Sequence, residues 1–386
     1  MTKLGHLIVA CGGTGGHFYP ALSVAQGYCA RGGRATLLVS GKHAGEQAAA
    51  AQAVGLPTRE IRTVRGPAGL GEAILFPFRM LGCLCETRRV LTELQGDILL
   101  GMGSFSAVPP CWVWPWRKKP LVLHEGNAFM GKVNRIFVGH AKAIALSLPL
   151  ADESQRKGIP AHITGMPLRE AVIQAATTPV TTSQRAEILA SFGLLPERRT
   201  MLVFGGSQGA RAINTLLAET ALRLADLAER LQFILLTGTE ENTPLHEAFA
   251  QAGLLARIVK GDSEIQRCYQ VADLTLCRAG ASSICELALF HKPMVLVPLP
   301  SAADNHQFVN ARTLEQAGAA RCLEQRLATP EVLEKLIREW LAKPEAWQAM
   351  GHAAAQFAHP DATNAVVEML VKVRGESTAG APPAAR

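Results

Sequence analysis

The sequence predicts two doubly wound α/β domains facing each other across a cleft. Three observations predict it. Short continuous runs of Val, Ile and Leu alternate with helical patterns along the chain, the mark of parallel sheets covered on both faces. The apolar run 7–11 empties into "GGTGGH" (12–17), and "TMLVFGGSQGARAINTLLAE" (200–219) repeats that opening. At 386 residues the chain has length for two domains, each with its own core.

Composition narrows the class. Hydrophobic residues at 48% and charged residues at 18% describe a globular, enzyme-like chain and exclude a disordered one. Nine cysteines with no CxxC pair read as reduced core thiols of a cytosolic protein, zinc ligation being the weaker alternative. No secretory signal is apparent. The formal charge of +7 is unevenly shared: residues 1–165 carry +9 and residues 166–386 carry −2. An anionic partner is therefore expected on the first half. No recognised binding motif or basic helix accompanies that charge, so the expectation is an anionic lipid surface and no nucleic acid.

The elements follow in order. The strand before "GGTGGH" and the helix after it make a phosphate-type loop, with Pro20 near the first helical turn. It is neither of the two familiar kinds. A P-loop would end in Gly-Lys-Ser/Thr, and this one ends Gly16-His17-Phe18. A dinucleotide fingerprint from Gly13 would need glycine at Phe18 and an acid after "ATLLVSG" (35–41), which finishes in Ser40-Gly41.

Next come "ILFPFRMLGCL" (74–84) and "CWVWPWRKK" (111–119), unusual for a water-facing surface. Ile74, Leu75, Phe78 and Leu81, with Trp112, Trp114 and Trp116 beside Arg117, Lys118 and Lys119, have the aromatic-plus-basic make-up of an interfacial anchor. The alternative is an ordinary core helix. Residues 98–116 carry no charge, but Gly101, Gly103, Pro109, Pro110 and Pro115 argue against a membrane span.

Strands are expected in "LVLHEGN" and "AIALS", and a domain boundary near "ITGMPLRE" (163–170). The expected partition is 1–165, 166–360 and a frayed tail 375–386, with a helix at 361–374 that packs back on the first domain. In the second half "CRAGASSICE" (277–286) ends a strand, turns, and starts a helix at Ser282 or Ser283, a terminus suited to a diphosphate. Glu286 could accept from ribose hydroxyls. Ser283-x-x-Glu286 and Asp304-x-x-Gln307 also read as capping boxes, which would make both purely structural.

The ordered set "GGTGGH", "HEGN" (124–127), "GMPLR" (165–169), "GGSQGA", "RAGASSICE" and "DNHQ" resembles the MurG family over about residues 4–365. These bacterial glycosyltransferases add N-acetylglucosamine to the lipid-linked muramoyl-pentapeptide precursor of peptidoglycan. The resemblance implies a GT-B fold of two Rossmann-like domains, with UDP-N-acetylglucosamine (UDP-GlcNAc) held mainly by the second. By position it implies that Ala281, Ser282, Ser283, Ile284, Cys285 and Glu286, with Arg278 before them, hold the phosphates and ribose. Ser207 and Gln208 would reach the diphosphate from the other loop, and His306 and Gln307 would read the sugar hydroxyls. Asn127 and Arg169 would close on sugar and diphosphate, and the uracil would meet the backbone near Asp262. Thr14, Gly15 and Gly16 would lie near the sugar nucleotide.

His17 is the leading candidate for general base, with Glu125 its rival; the bland alternative is that His17 only hydrogen-bonds its loop or an acceptor diphosphate. The reaction so implied is an inverting transfer to the C4 hydroxyl of lipid I, giving lipid II, at the cytoplasmic face of the membrane. Cell-wall synthesis or division proteins are implied as further partners. The sequence has no Asp-x-Asp motif, so neither a metal nor another cofactor is expected. Another GT-B transferase acting on a glycolipid, or a UDP-GlcNAc epimerase, is the alternative. Gly126, Met166, Phe105 and His291 depart from the family pattern, which usually has Gln, Asn, Tyr and Gly there.

Overall fold

A computed structural model describes residues 4–63, 70–205, 210–239 and 241–379. The chain divides into two compact units, one of Met1–Arg169 with His359–Arg386, the other of Glu170–Ala358.

The first unit is built on seven parallel strands: β1 (His6–Ala10), β2 (Arg34–Val39), β3 (Thr58–Glu60), β4 (Ile98–Gly101), β5 (Leu121–Glu125), β6 (Ala143–Leu146) and β7 (Ala161–Ile163). Their order is β3-β2-β1-β4-β5-β6-β7, so the chain reverses its direction of travel between β1 and β4. Strands β1, β4, β5 and β6 are buried at every position. Leu7, Val9, Leu37 and Leu100 pack on one face, and Ile8, Leu38, Leu99 and Leu123 on the other. Alternate residues serve opposite faces because the side-chain period is two.

One face is covered by the helix Gly15–Ala30 and by the last helix, Ala362–Ala379, whose Val366, Val367 and Leu370 are fully buried. Gly27 lets these two helices approach: a Cβ there would lie 2.8 Å from Thr363 Cγ2. The other face is covered by Leu70–Leu94 and Val108–Val113, with Trp114 in the core. The uncharged stretch 98–116 thus becomes a strand and short helices. No helix among the described residues is long and apolar enough to cross a membrane. The first unit runs to Arg169 because Met166 and Leu168 remain buried in it and the Leu168 carbonyl accepts from Ser23 Oγ at 3.0 Å.

The second unit repeats the plan with β8 (Arg199–Phe204), β9 (Leu231–Leu236), β10 (Leu255–Val259), β11 (Leu274–Cys277), β12 (Met294–Leu296) and β13 (Arg321–Cys322). All pair in parallel in the order β10-β9-β8-β11-β12-β13, with the reversal between β8 and β11. The polar segment 176–187 holds the end of one helix and the start of another, where Thr181 and Gln184 form a capping box. All nine cysteines are free thiols. Burial pushes the Cys111 thiol up to about 12 and Cys11 and Cys277 higher still, so all three stay protonated and inert.

Candidate active site

In open parallel sheets the crevice for a ligand opens at the carboxyl ends of the strands where chain travel reverses. Each unit has one, and each holds predicted residues.

In the first unit β1 leads through Cys11 into Gly12 and Gly13, both at positive φ (134° and 82°). Gly12 has no alternative, since a Cβ would sit 2.7 Å from Ser106 Oγ and 3.1 Å from the Ser40 nitrogen. Thr14 is the extended N-cap of the helix Gly15–Ala30, and Thr14, Gly15 and Gly16 are exposed. An exposed helix N-terminus carries partial positive charge and suits an anion.

His17 is half-buried in the first turn of this helix. Its Nδ1 lies 2.8 Å from the Met102 carbonyl, in the loop after β4. A carbonyl can only accept, so Nδ1 carries the proton and Nε2 is the basic nitrogen. The bond spans the β1/β4 reversal and fixes the ring at the crevice.

His124, at the end of β5, is buried with Nε2 3.0 Å from Ser147 Oγ. Burial, with the charge of nearby His17 second, pushes its pKa down to about 3, so it is neutral around pH 7. Ser147 Oγ also approaches the Gly165 carbonyl at 3.4 Å and Met166 Sδ at 3.6 Å, so Met166 has a packing position of its own.

Glu125, the rival candidate for base, has a structural task. Its carboxylate is buried and accepts four N–H groups: Asn127 N at 3.0 Å, Asn127 Nδ2 at 3.1 Å, Gly131 N at 2.8 Å and Asn134 Nδ2 at 2.9 Å. Such a carboxylate holds a loop and is poorly placed to take a substrate proton. Asn127 belongs to this clamp. Asn134, which sequence reasoning missed, also reaches the His124 carbonyl at 2.9 Å. Arg169 lies over the Tyr19 ring, 5.9 Å from its centroid.

In the second unit β11 ends at Cys277 and the next helix, Ala281–Leu289, starts at Ala281 with extended Gly280 as N-cap and no side-chain cap bond. Ser283 is therefore inside the helix, and the Ser283/Glu286 box does not form. Glu286 instead accepts from the Tyr269 hydroxyl at 2.7 Å. The Ser282 and Ser283 side chains are half-exposed at the terminus, while Ile284 and Cys285 are buried and the Ile284 nitrogen donates to the Gly280 carbonyl at 3.0 Å.

Arg278 also has partners within the fold. It is buried and donates to the Val297 carbonyl at 3.1 Å, the Pro298 carbonyl at 3.3 Å and Gln325 Oε1 at 2.8 Å, tying β11 to the loop after β12. The Asp262 carboxylate meets Arg257 at 3.0 Å and the Glu264 nitrogen at 2.8 Å. The Asp304/Gln307 box is absent too. The N-cap is Asn305, both 304 and 305 have left-handed backbones, and Gln307 Oε1 accepts from Leu299 N at 3.0 Å. His306 is half-buried with Nδ1 2.7 Å from the Ala303 carbonyl. Buried Asn310, also missed, holds the Ala279 carbonyl of the turn after β11 at 3.0 Å; its sign in the sequence was an amide in an otherwise apolar helix face. Ser207 and Gln208 lie outside the described residues.

Exposed apolar residues gather on the first unit. Leu75, Phe78 and Leu81 protrude from the helix Leu70–Leu94, with Phe78 72% exposed, and Trp112 and Trp116 from the segment packed beside it. Exposed Ile136 lies next to Phe137, whose ring meets Trp112 edge-on. The Ile74 side chain lies outside the described residues. Trp114 is corrected: it is fully buried and its Nε1 donates to the Pro120 carbonyl at 2.9 Å. Lys119 is paired with Asp97 at 3.0 Å, and Arg117 stacks 5.8 Å from the Trp114 ring. Lys118 is exposed.

Two family descriptions match: the glycosyltransferase family 28 N-terminal domain over residues 7–146 and its C-terminal domain over 200–366. Among curated relatives, proteins named UDP-N-acetylglucosamine–N-acetylmuramyl-(pentapeptide) pyrophosphoryl-undecaprenol N-acetylglucosamine transferase are similar over most of the chain. The one from Stutzerimonas stutzeri is 34% identical, covering 95% of this chain and 98% of its own length. That from Verminephrobacter eiseniae is 35% identical, covering 87% and 90%. Among solved structures, Acinetobacter baumannii MurG superimposes with a TM-score of 0.76 at 27% identity, covering 95% of this chain and 99% of that one. A Neisseria meningitidis UDP-GlcNAc 2-epimerase matches with a TM-score of 0.67 at 12% identity, a likeness of fold alone.

Proposed function

From the premise that this chain belongs to glycosyltransferase family 28 and has two Rossmann-like domains of the GT-B class, we propose that it transfers N-acetylglucosamine from UDP-GlcNAc to the C4 hydroxyl of lipid I, giving lipid II and UDP. The observation that carries this reading is the repeated crevice: each unit opens a glycine turn onto a helix N-terminus at its sheet reversal, in a chain whose relatives bear that transferase name.

In this reading the second unit holds the donor. The amide end of Ala281–Leu289 faces the diphosphate, Ser282 and Ser283 add hydroxyl donors, and Glu286, held by Tyr269, accepts from the ribose. His17 Nε2 takes the proton of the acceptor C4 hydroxyl as its oxygen attacks the anomeric carbon. The bond from that carbon to the phosphate oxygen breaks, and UDP leaves with the electron pair. The configuration at the anomeric carbon inverts from α to β. Neutral His124 beside His17 keeps a second positive charge away from the base.

The exposed Leu75, Phe78, Leu81, Trp112, Trp116 and Ile136, with Lys118 nearby, support peripheral docking on an anionic membrane surface, where a prenyl-linked acceptor resides. Each basic residue near such a surface contributes about 1 kcal/mol.

The test is incubation of the purified chain with labelled UDP-GlcNAc and lipid I. Label transferred to the lipid, with one UDP released per disaccharide formed, is the expected result. Label retained on a nucleotide as its C2 epimer would mean an epimerase, and transfer only to some other glycolipid would reassign the acceptor.

A further inference from the structure

The second unit has a cavity at the amino ends of β8, β11 and β12, the end of the sheet opposite its glycine turns. It measures about 180 Å³ and is lined by Arg199, Asp273, His291, Lys292, Gln348 and His352, among others. That is room for several waters or one small polyatomic ion.

Its charges do not balance. Asp273 is the one carboxylate of the lining. It already accepts from Arg185 at 2.9 Å and from the Thr200 nitrogen at 2.8 Å, and lies 3.6 Å from Arg199. Lys292 directs its ammonium to the Ala272 carbonyl at 2.8 Å and the Gln270 carbonyl at 3.3 Å, and has no carboxylate at ion-pair distance among the described residues. Arg185 behind the cavity and Arg199 and Lys292 in its lining therefore have one acid between them. Burial pushes the Lys292 pKa down to about 8, with Asp273 opposing and Arg185 adding to the fall, so the amine still carries its proton at neutral pH.

Two imidazoles stand at the rim. The His291 and His352 rings are 6.1 Å apart and tilted at 60°. His291 occupies the residue after the C-cap of Ala281–Leu289, in the left-handed conformation at φ 51°, and closes a Schellman motif: His291 N donates to the Ala288 carbonyl and Lys292 N to that of Leu287. Glycine is the ordinary residue there because a Cβ is strained at positive φ. This chain accepts that strain and places a ring nitrogen at the mouth of a cationic pocket. A lysine, an arginine and two histidines lining one space, with Lys292 keeping one ammonium N–H beyond its two carbonyl bonds, are a donor set for oxygen anions.

We propose that this pocket binds a small oxyanion of the phosphate class, with Lys292 at its floor and Arg199, His291 and His352 at its rim. The site lies apart from the donor crevice and gives the second unit an anion-dependent clasp between the starts of three strands and the helices Pro330–Ala342 and Pro344–Ala354.

The full-length chain is first saturated with UDP, so that the donor site does not report. Inorganic phosphate is then titrated by calorimetry, and the melting temperature is followed against chloride at equal ionic strength. Phosphate should bind and raise the melting temperature where chloride does not. Lys292→Met should abolish binding. His291→Gly with His352→Ala, which relieves backbone strain and so keeps the fold, should weaken phosphate at least tenfold while leaving UDP affinity unchanged. GlcNAc-1-phosphate distinguishes the source of the anion: tighter binding than phosphate assigns the pocket to a phosphorylated sugar, equal or weaker binding to free phosphate. Phosphate no better than chloride, or phosphate binding that persists undiminished in the double variant, overturns the site.

Discussion

Glu125 and His17 face the same crevice with opposite assignments, and single substitutions separate them. Glu125→Gln turns one of its two acceptor oxygens into an N–H₂ group facing other N–H donors. The expected cost is about 1–3 kcal/mol of stability, read from urea unfolding; activity lost with no loss of stability would return Glu125 to the role of base. His17→Ala is expected to lower kcat by about 10²–10⁴ with little change in KM for UDP-GlcNAc, measured as lipid II formed per minute. His124 has its own signature. Its folded-state pKa of about 3 lies below the ordinary histidine value of 6.5. Between these two pH values the unfolded chain binds a proton that the folded chain refuses. This contribution to stability therefore climbs with pH through that window and is complete above it, by an amount of order a few kcal/mol. Unfolding midpoints between pH 4 and 7.5 should rise less steeply in His124→Asn than in the parent chain.

Among the elements, the helix Leu70–Leu94 with the segment from Val108 to Arg117 has the clearest external role. Phe78 and Trp116 carry the largest exposed rings there. Replacing both by serine should weaken binding to phosphatidylglycerol vesicles by about a hundredfold or more in a co-sedimentation titration, since burial of each ring in the interface contributes on the order of 1.5 kcal/mol or more. Neither ring is in a core, so the melting temperature should hardly move. Undiminished vesicle binding would remove this face as the membrane contact. The same segment shows where composition misleads. Trp112, Trp114 and Trp116 share one aromatic-plus-basic stretch, but the chain there is a short helix running into a tighter turn, and Trp114 rotates into the core. The two expected capping boxes failed for a related reason: Gln307 and Glu286 found tertiary partners, Leu299 N and the Tyr269 hydroxyl, that local spacing does not reveal.

At the scale of the molecule, the two sheets were legible because a parallel strand buried on both faces reads as an unbroken apolar run, and because "GGTGGH" and "RAGASSICE" mark strand ends that only glycine or a small residue can turn. What stayed hidden was the destination of buried polar groups. Arg278 and Glu125 stand beside glycine turns and look like ligand-binding groups in one dimension; in three, their side chains also hold backbone carbonyls and amides of the fold. The last helix supports a further prediction. Deleting residues 359–386 would strip Val366, Val367 and Leu370 from the first sheet, a loss of roughly 5 kcal/mol or more, enough to unfold the first unit in thermal melts while the second still melts cooperatively. A first unit that stays folded without that helix would contradict it.

The return of the final helix to the first unit also sets a schedule for synthesis. Residues 170–358 are a complete insertion and can close as soon as they clear the ribosome, whereas the nascent amino-terminal sheet must wait, one face covered only by the helix Gly15–Ala30, until residues 362–379 have been made. The part of the chain made first is finished last.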